Sequence, residues 1–249
     1  MNKMNFLFGQ SVDGVSEEDY MAMMPGIIAM AKGMEMCLAD GLFIYDCHKQ
    51  KPIFVSCHWS NFYKVEKDYF SDVDSLFGNL TEKDRKFCET VRKSIQKFYN
   101  SLPLNEYMNY LYSFPLEIKN NEESLYMYHR VIPIALSHTG KIWLILCTSF
   151  PTTKRMKRIV HMQKKNSDLR MKYNEKAQRW ENSEIPLLNS KEKRIFAMAI
   201  QGFSIEEMAE ILQLSPDGVK ACRRRAFERM GVRNIQEAIT FTMNHTTMK

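Results

Sequence analysis

The chain has 249 residues, 45% hydrophobic and 26% charged, with a formal net charge of +6. This is globular composition, which excludes disordered and fibrous chains and leaves room for one large domain or two smaller ones. The longest apolar run, "IWLILC" (142–147), is far shorter than the ~20 residues of a membrane-spanning helix. The first ten residues make a poor signal peptide, so a cytoplasmic location with no membrane partner is expected.

Charge is unevenly distributed. Residues 1–150 carry 15 Lys+Arg against 18 Asp+Glu, residues 151–182 carry 10 against 3, and residues 183–249 carry 10 against 8. The positive excess is therefore local, as expected if one part of the protein meets a polyanion. None of the six cysteines forms a Cys-x-x-Cys pair. Cys47-His48 and Cys57-His58 resemble half of a metal site, but no second pair has ligand spacing, so neither metal nor cofactor is expected.

In chain order, "MAMMPGIIAMAKGMEMCLADG" (21–41) is helix-prone but broken by Pro25-Gly26. "LFIYDC" and "PIFVSC" follow as two strand-like runs joined by "HKQK". Residues 58–110 are richer in helix signals, with Thr81 placed to cap a helix and Asp84 at its third position. Then "YLYSFPLEIK", "SLYMYHRVIPIAL" and "KIWLILCTSF" read as three more strands. Two strands, a helical stretch and three strands, together with "DGLFIYD" (40–46), resemble a PAS-type sensor domain. The resemblance implies a five-stranded antiparallel sheet with helices across one face. Tyr126, Met127, Tyr128 and Trp143 are candidates to line a pocket for a small-molecule ligand. Alternation puts Met127 on the opposite face from the two tyrosines, and a filled core is the alternative. His58, His129 and His138 are read as surface or capped histidines.

Residues 152–182 lack Gly and Pro and are expected to be helical. Ile159, Met162, Asn166, Leu169, Tyr173, Lys176 and Trp180 recur by threes and fours, a heptad seam with Asn166 at a register-fixing position. The segment is thus a helical linker, either a two-stranded coiled coil or a single helix packed on its own domain.

The C-terminal region reads as four short helices. Asn189, Ser204 and Asn234 each precede a glutamate by three residues, the pattern of a reciprocal N-terminal cap. Ser215 supplies another cap, with Pro216 in the first helical position. Gly202 and Gly231 fall where the first and third helices should stop. Inner faces are assigned to Ile195, Phe196, Ala199 and Ile200, then Met208, Ala209, Ile211 and Leu212. Val219, Cys222, Ala226 and Met230 follow, then Ile235, Ala238, Ile239 and Phe241.

"LNSKEKRIFAMAIQGFSIEEMAEILQLSPDGVKACRRRAFERMGVRNIQEAI" (188–239) resembles the LuxR-type helix-turn-helix domain, through Glu207-Met208-Ala209…Leu212, "GVK" (218–220) and "MGVRN" (230–234). Gly218 replaces the usual threonine and Cys222 the common histidine. The resemblance implies that the third helix enters the major groove of double-stranded DNA. Lys220 and Arg224 are expected to reach base edges, and Arg223, Arg225, Arg229 and Arg233 to hold phosphates.

The fold class expected is α+β: a PAS-like sensor domain (1–150), a helical linker (151–182) and an all-α helix-turn-helix domain (183–249). The function implied is a DNA-binding transcription regulator, not an enzyme, that acts as a homodimer on a two-fold operator, with RNA polymerase a candidate partner. The alternatives are a σ-factor-like protein, or an adaptor whose DNA-binding face has decayed.

Overall fold

The computed structural model describes residues 12–64, 80–120, 123–152, 156–167, 169–183 and 188–230, with 232, 234, 235 and 238 beyond them. Contacts divide the chain into two units, Met1–Ser183 and Glu184–Lys249.

In the first unit, helix α1 (Glu17–Cys37) starts at a reciprocal cap between Ser16 and Asp19 and runs through Pro25. The expected break is corrected. A proline removes the hydrogen bond to the carbonyl four residues back and crowds it, here that of Met21, a residue 79% exposed. Strands β1 (Gly41–Asp46) and β2 (Lys51–Val55) form a hairpin. Its turn is held by Asp46, whose Oδ1 accepts from His48 N at 2.8 Å and Lys49 N at 3.0 Å. The Asp46 Oδ2 accepts from the Tyr20 hydroxyl at 2.5 Å, tying α1 to the sheet. Helices α2 (Cys57–Tyr63) and α3 (Glu82–Tyr99) follow, capped by Ser56 and Thr81.

Strands β3 (Tyr110–Asn120), β4 (Glu123–Leu136) and β5 (Ile142–Thr152) complete the five expected strands, in the antiparallel order β2-β1-β5-β4-β3. The expectation of helices across one face is corrected: every residue of β1 is buried, because helices cover the sheet there on both faces. Leu42 and Ile44 pack with Ala31 of α1 on one side. Phe43 and Tyr45 join the main core with α2 and α3 on the other.

The helical linker is corrected. Residues 161–182 contain three strands, β6 (His161–Lys164), β7 (Arg170–Asn174) and β8 (Arg179–Asn182), which extend the sheet from the β3 edge. The turns between them place Asn166 and Gln178 in the left-handed region, at φ of 54° and 52°. Met162, Met171, Tyr173 and Trp180, three of them in the expected seam, share the face toward α3. There Trp180 Nε1 donates to the Ser94 carbonyl at 3.2 Å, and its ring lies 5.4 Å from that of Phe98. Asn166 is an exposed turn residue, not a buried register pin.

The space between the sheet and α2 is filled by aromatic side chains. Trp59 stacks on Tyr63 at 4.3 Å, and His129 stacks on Phe114 at 5.1 Å. The Tyr63 hydroxyl meets His129 Nε2. His129, expected to be a surface or capped histidine, is fully buried with the Tyr63 hydroxyl as a partner, and burial pushes its pKa down to about 3. His138 stays exposed and meets Asp19 at 2.9 Å. Met127 faces the filled side, and Tyr128 lies on the opposite face beside Phe150. Among the described residues, no helix is long and apolar enough to cross a membrane.

The second unit holds helices α4 (Ser190–Ile200), α5 (Ile205–Leu212) and α6 (Pro216–Met230). The cap pairs Asn189–Glu192 and Ser204–Glu207 are both closed in the reciprocal manner. Gly202 takes φ 88° where α4 ends. Gln213 takes φ 54° where α5 ends, and this left-handed residue turns the chain sharply into α6. Ile195, Met198, Met208, Ala209, Val219 and Cys222 form one core cluster; Leu188, Phe196, Ala226, Met230 and Ala238 form another. Ile200 and Ile211 are corrected from core to surface, at 54% and 50% exposed. Glu237, Ile239, Phe241 and Gly231 lie outside the described residues.

Candidate nucleic-acid interface

Helix α6 begins at Ser215, whose Oγ accepts from the Gly218 N–H at 3.0 Å, with Pro216 in the first turn where its missing N–H costs nothing. A Cβ added at Gly218 would meet that same Oγ at 3.2 Å, so glycine leaves the cap undisturbed. Val219, Cys222, Ala226 and Met230 are all buried against the other two helices. At 3.6 residues per turn, the opposite face carries Asp217, Lys220, Arg224 and Glu228, all of them exposed.

The basic residues separate into three settings. Lys220 and Arg224 stand on the outward face, Lys220 held by Asp217 at 3.4 Å. Exposed pairs of this kind are weak, so Lys220 can leave Asp217 for another acceptor at little cost. Arg225 is exposed on the flank. Arg223 is half-buried, its guanidinium 5.8 Å from the centre of the Phe227 ring. It therefore lies nearer the core than expected, as its position one residue after Cys222 and three before Ala226 dictates.

Arg229 is engaged inside the unit. Its Nη2 donates to Glu192 Oε2 at 2.6 Å, and the same oxygen accepts from the Asn189 N–H at 2.9 Å. Glu192 is 3% exposed while the Arg229 side chain is 42% exposed. The hydrogen bond to Glu192 holds the arginine pKa above its usual value. One carboxylate thus closes the cap of α4 and fastens the end of α6 to it. The capping pattern was readable in the sequence, whereas the partner 37 residues away carried no local signal. Arg233 lies outside the described residues.

Residues 186–242 match the family profile of the bacterial regulatory proteins of the luxR family. No curated protein sequence matches. Solved structures similar to this chain include the complex of phage VqmA with DPO, at 11% identity and TM-score 0.35, covering 92% of this chain and 93% of the other. Another is the Vibrio cholerae VqmA–ligand–DNA complex, at 9% identity and TM-score 0.34, covering 87% of each chain. The PAS domain of Bordetella pertussis BvgS is similar at 10% identity and TM-score 0.36, covering 52% of this chain and 89% of its own.

Proposed function

We propose, for a transcription regulator whose residues 186–242 form a LuxR-type DNA-binding domain, that Lys220 and Arg224 read base edges in the major groove. Arg225 then anchors the helix on the phosphate backbone. The observation that carries this reading is the two-sidedness of α6: one stripe is sealed into the core, and the opposite face presents Lys220 and Arg224 to solvent. Lys and Arg donate to guanine O6 and N7, and such contacts discriminate between bases. Phosphate contacts fix position without reading sequence. Arg223 and Arg229, held by Phe227 and Glu192, orient the helix more than they touch DNA.

The first unit has the strand order β2-β1-β5-β4-β3 of a PAS-like domain, extended by β6, β7 and β8. In this reading it senses a signal and controls DNA binding by a homodimer in the cytoplasm.

The test compares a selected operator with random duplex. Lys220→Ala or Arg224→Ala is expected to cost ~1–3 kcal/mol on the operator and much less on random DNA. Arg225→Ala is expected to weaken both alike and to lower the salt slope by about one. Uniform losses from all three substitutions would refute the base-reading assignment.

A further inference from the structure

Helix α1 fully buries only Tyr20 and Ala31 among its residues. The face opposite Ala31 carries Ala22, Gly26, Ala29, Gly33 and Met36, all exposed, at alternating steps of four and three residues. Met23 and Met30 line one flank of this stripe and Met21 the other, and all three are exposed. A Cβ added at Gly26 or Gly33 would meet no atom within 4 Å, so the stripe is an open, shallow groove. Between Tyr20 and Leu38 the only charged residues are Lys32 and Glu35, and Glu35 accepts from the Cys57 N–H at 2.5 Å.

A helix face that meets water is ordinarily charged or polar, and a helix apolar on every side is a covered one. Small residues at heptad steps let two helix backbones come close, while pliable methionines fill the space around the contact.

We propose that this stripe is the contact between two copies of the chain, their α1 helices packed antiparallel about a two-fold axis near Pro25 and Gly26. The proposal deepens the homodimer of the reading above and rests on it. Charge selects both the occupant and the direction. The helix begins with Glu17, Glu18 and Asp19 and has no basic residue in its last turn. In the antiparallel pair, Ala22 of each copy meets Ala29 of the other, and Lys32 of each comes beside the Glu18 turn of the other. A parallel pair would set Lys32 against Lys32 and acids against acids, which is unfavourable. A helix that lies on an anionic membrane carries a basic polar face, which α1 lacks.

Sedimentation equilibrium of the full chain over a range of concentrations reads the association, and the parent is expected to dimerise. Ala29→Glu, which places a charge from each copy in the seam, is expected to weaken association by about a hundredfold or more. Lys32→Glu and Glu18→Lys should each weaken it by about three- to tenfold, since each loses two attractive pairs and gains two repulsive ones. The two together should restore the parent value. Lys176→Glu, the same charge change on an exposed turn, is expected to associate like the parent. A dimer untouched by Ala29→Glu would overturn the α1 contact and leave the homodimer standing on another surface. A parent that is monomeric at every concentration would overturn both. A double variant as weak as the single ones would overturn the antiparallel pairing and the proposal with it. Binding of the parent to vesicles of mixed neutral and anionic phospholipid, abolished by Ala29→Glu with the dimer intact, would assign the face to a membrane instead.

Discussion

Arg229→Ala separates an internal clamp from a phosphate contact. The substitution leaves Glu192 at 3% exposure in the parent packing, with the Asn189 N–H as its remaining donor. Breaking a fully buried ion pair from one side costs ~3–5 kcal/mol. Here the arginine is 42% exposed, so solvent screens the pair and water can approach the carboxylate once the side chain is cut back. That discount brings the expected cost to ~1–2 kcal/mol. In a domain this small each kcal/mol lowers the midpoint by ~4–8 °C, so a fall of roughly 5–15 °C is expected. Scanning calorimetry of the full chain measures it, and the transition of the second unit is recognised by its rise on adding DNA. A Glu192→Gln background should remove most of the cost, since the two side chains are coupled. A midpoint within a degree of the parent, together with a salt slope lower by about one, would mean that Arg229 holds phosphate and that the clamp is idle.

His129 is held neutral in the fold and protonates near the ordinary histidine value when unfolded. Its contribution is therefore complete above about pH 6.5 and declines as pH falls from there toward 3, by up to ~1.4 kcal/mol per pH unit. His129→Phe should flatten the dependence of the urea midpoint between pH 6.5 and 4, and an unchanged slope would exclude the buried imidazole as its source. Trp180→Ala should cost ~2–3 kcal/mol by emptying the contact with Phe98, Tyr173 and Ser94. Protease cleavage within 161–182 should speed up accordingly, and unchanged cleavage would show that β8 does not depend on that side chain.

The second unit was legible because its signals are local. Asn189, Ser204 and Ser215 announce helix starts within four residues, and the stripe Val219, Cys222, Ala226 and Met230 fixes which way α6 faces. The first five strands, β1 to β5, were legible for a similar reason, being runs rich in aliphatic and aromatic residues. Residues 161–182 form strands where a helix is expected because short strands and short helices share spacings. Met162 and Trp180 fit a heptad as well as a pleat, and lack of Gly and Pro argued for helix. The deciding evidence is non-local: the β3 edge offers backbone groups to β6, and α3 offers an apolar surface to Trp180. Asn166 and Gln178 make turns without glycine, so the usual markers were missing. At Pro25 a strong local signal gave way to context, since α1 continues through it with Met21, four residues back, exposed.

Because β6, β7 and β8 belong to the sheet, almost none of residues 151–182 remains to serve as a leash between the units. Strand β8 ends at Asn182, and Leu188 is already buried in the second unit at 5% exposure. Residues 183–187 can span at most ~18 Å when fully stretched. Peeling Arg179–Asn182 from β7 would release four residues, ~13 Å of extended chain, from the edge of the sheet. The hold of Trp180 on α3 thus decides how much chain at the end of the first unit stays in the sheet.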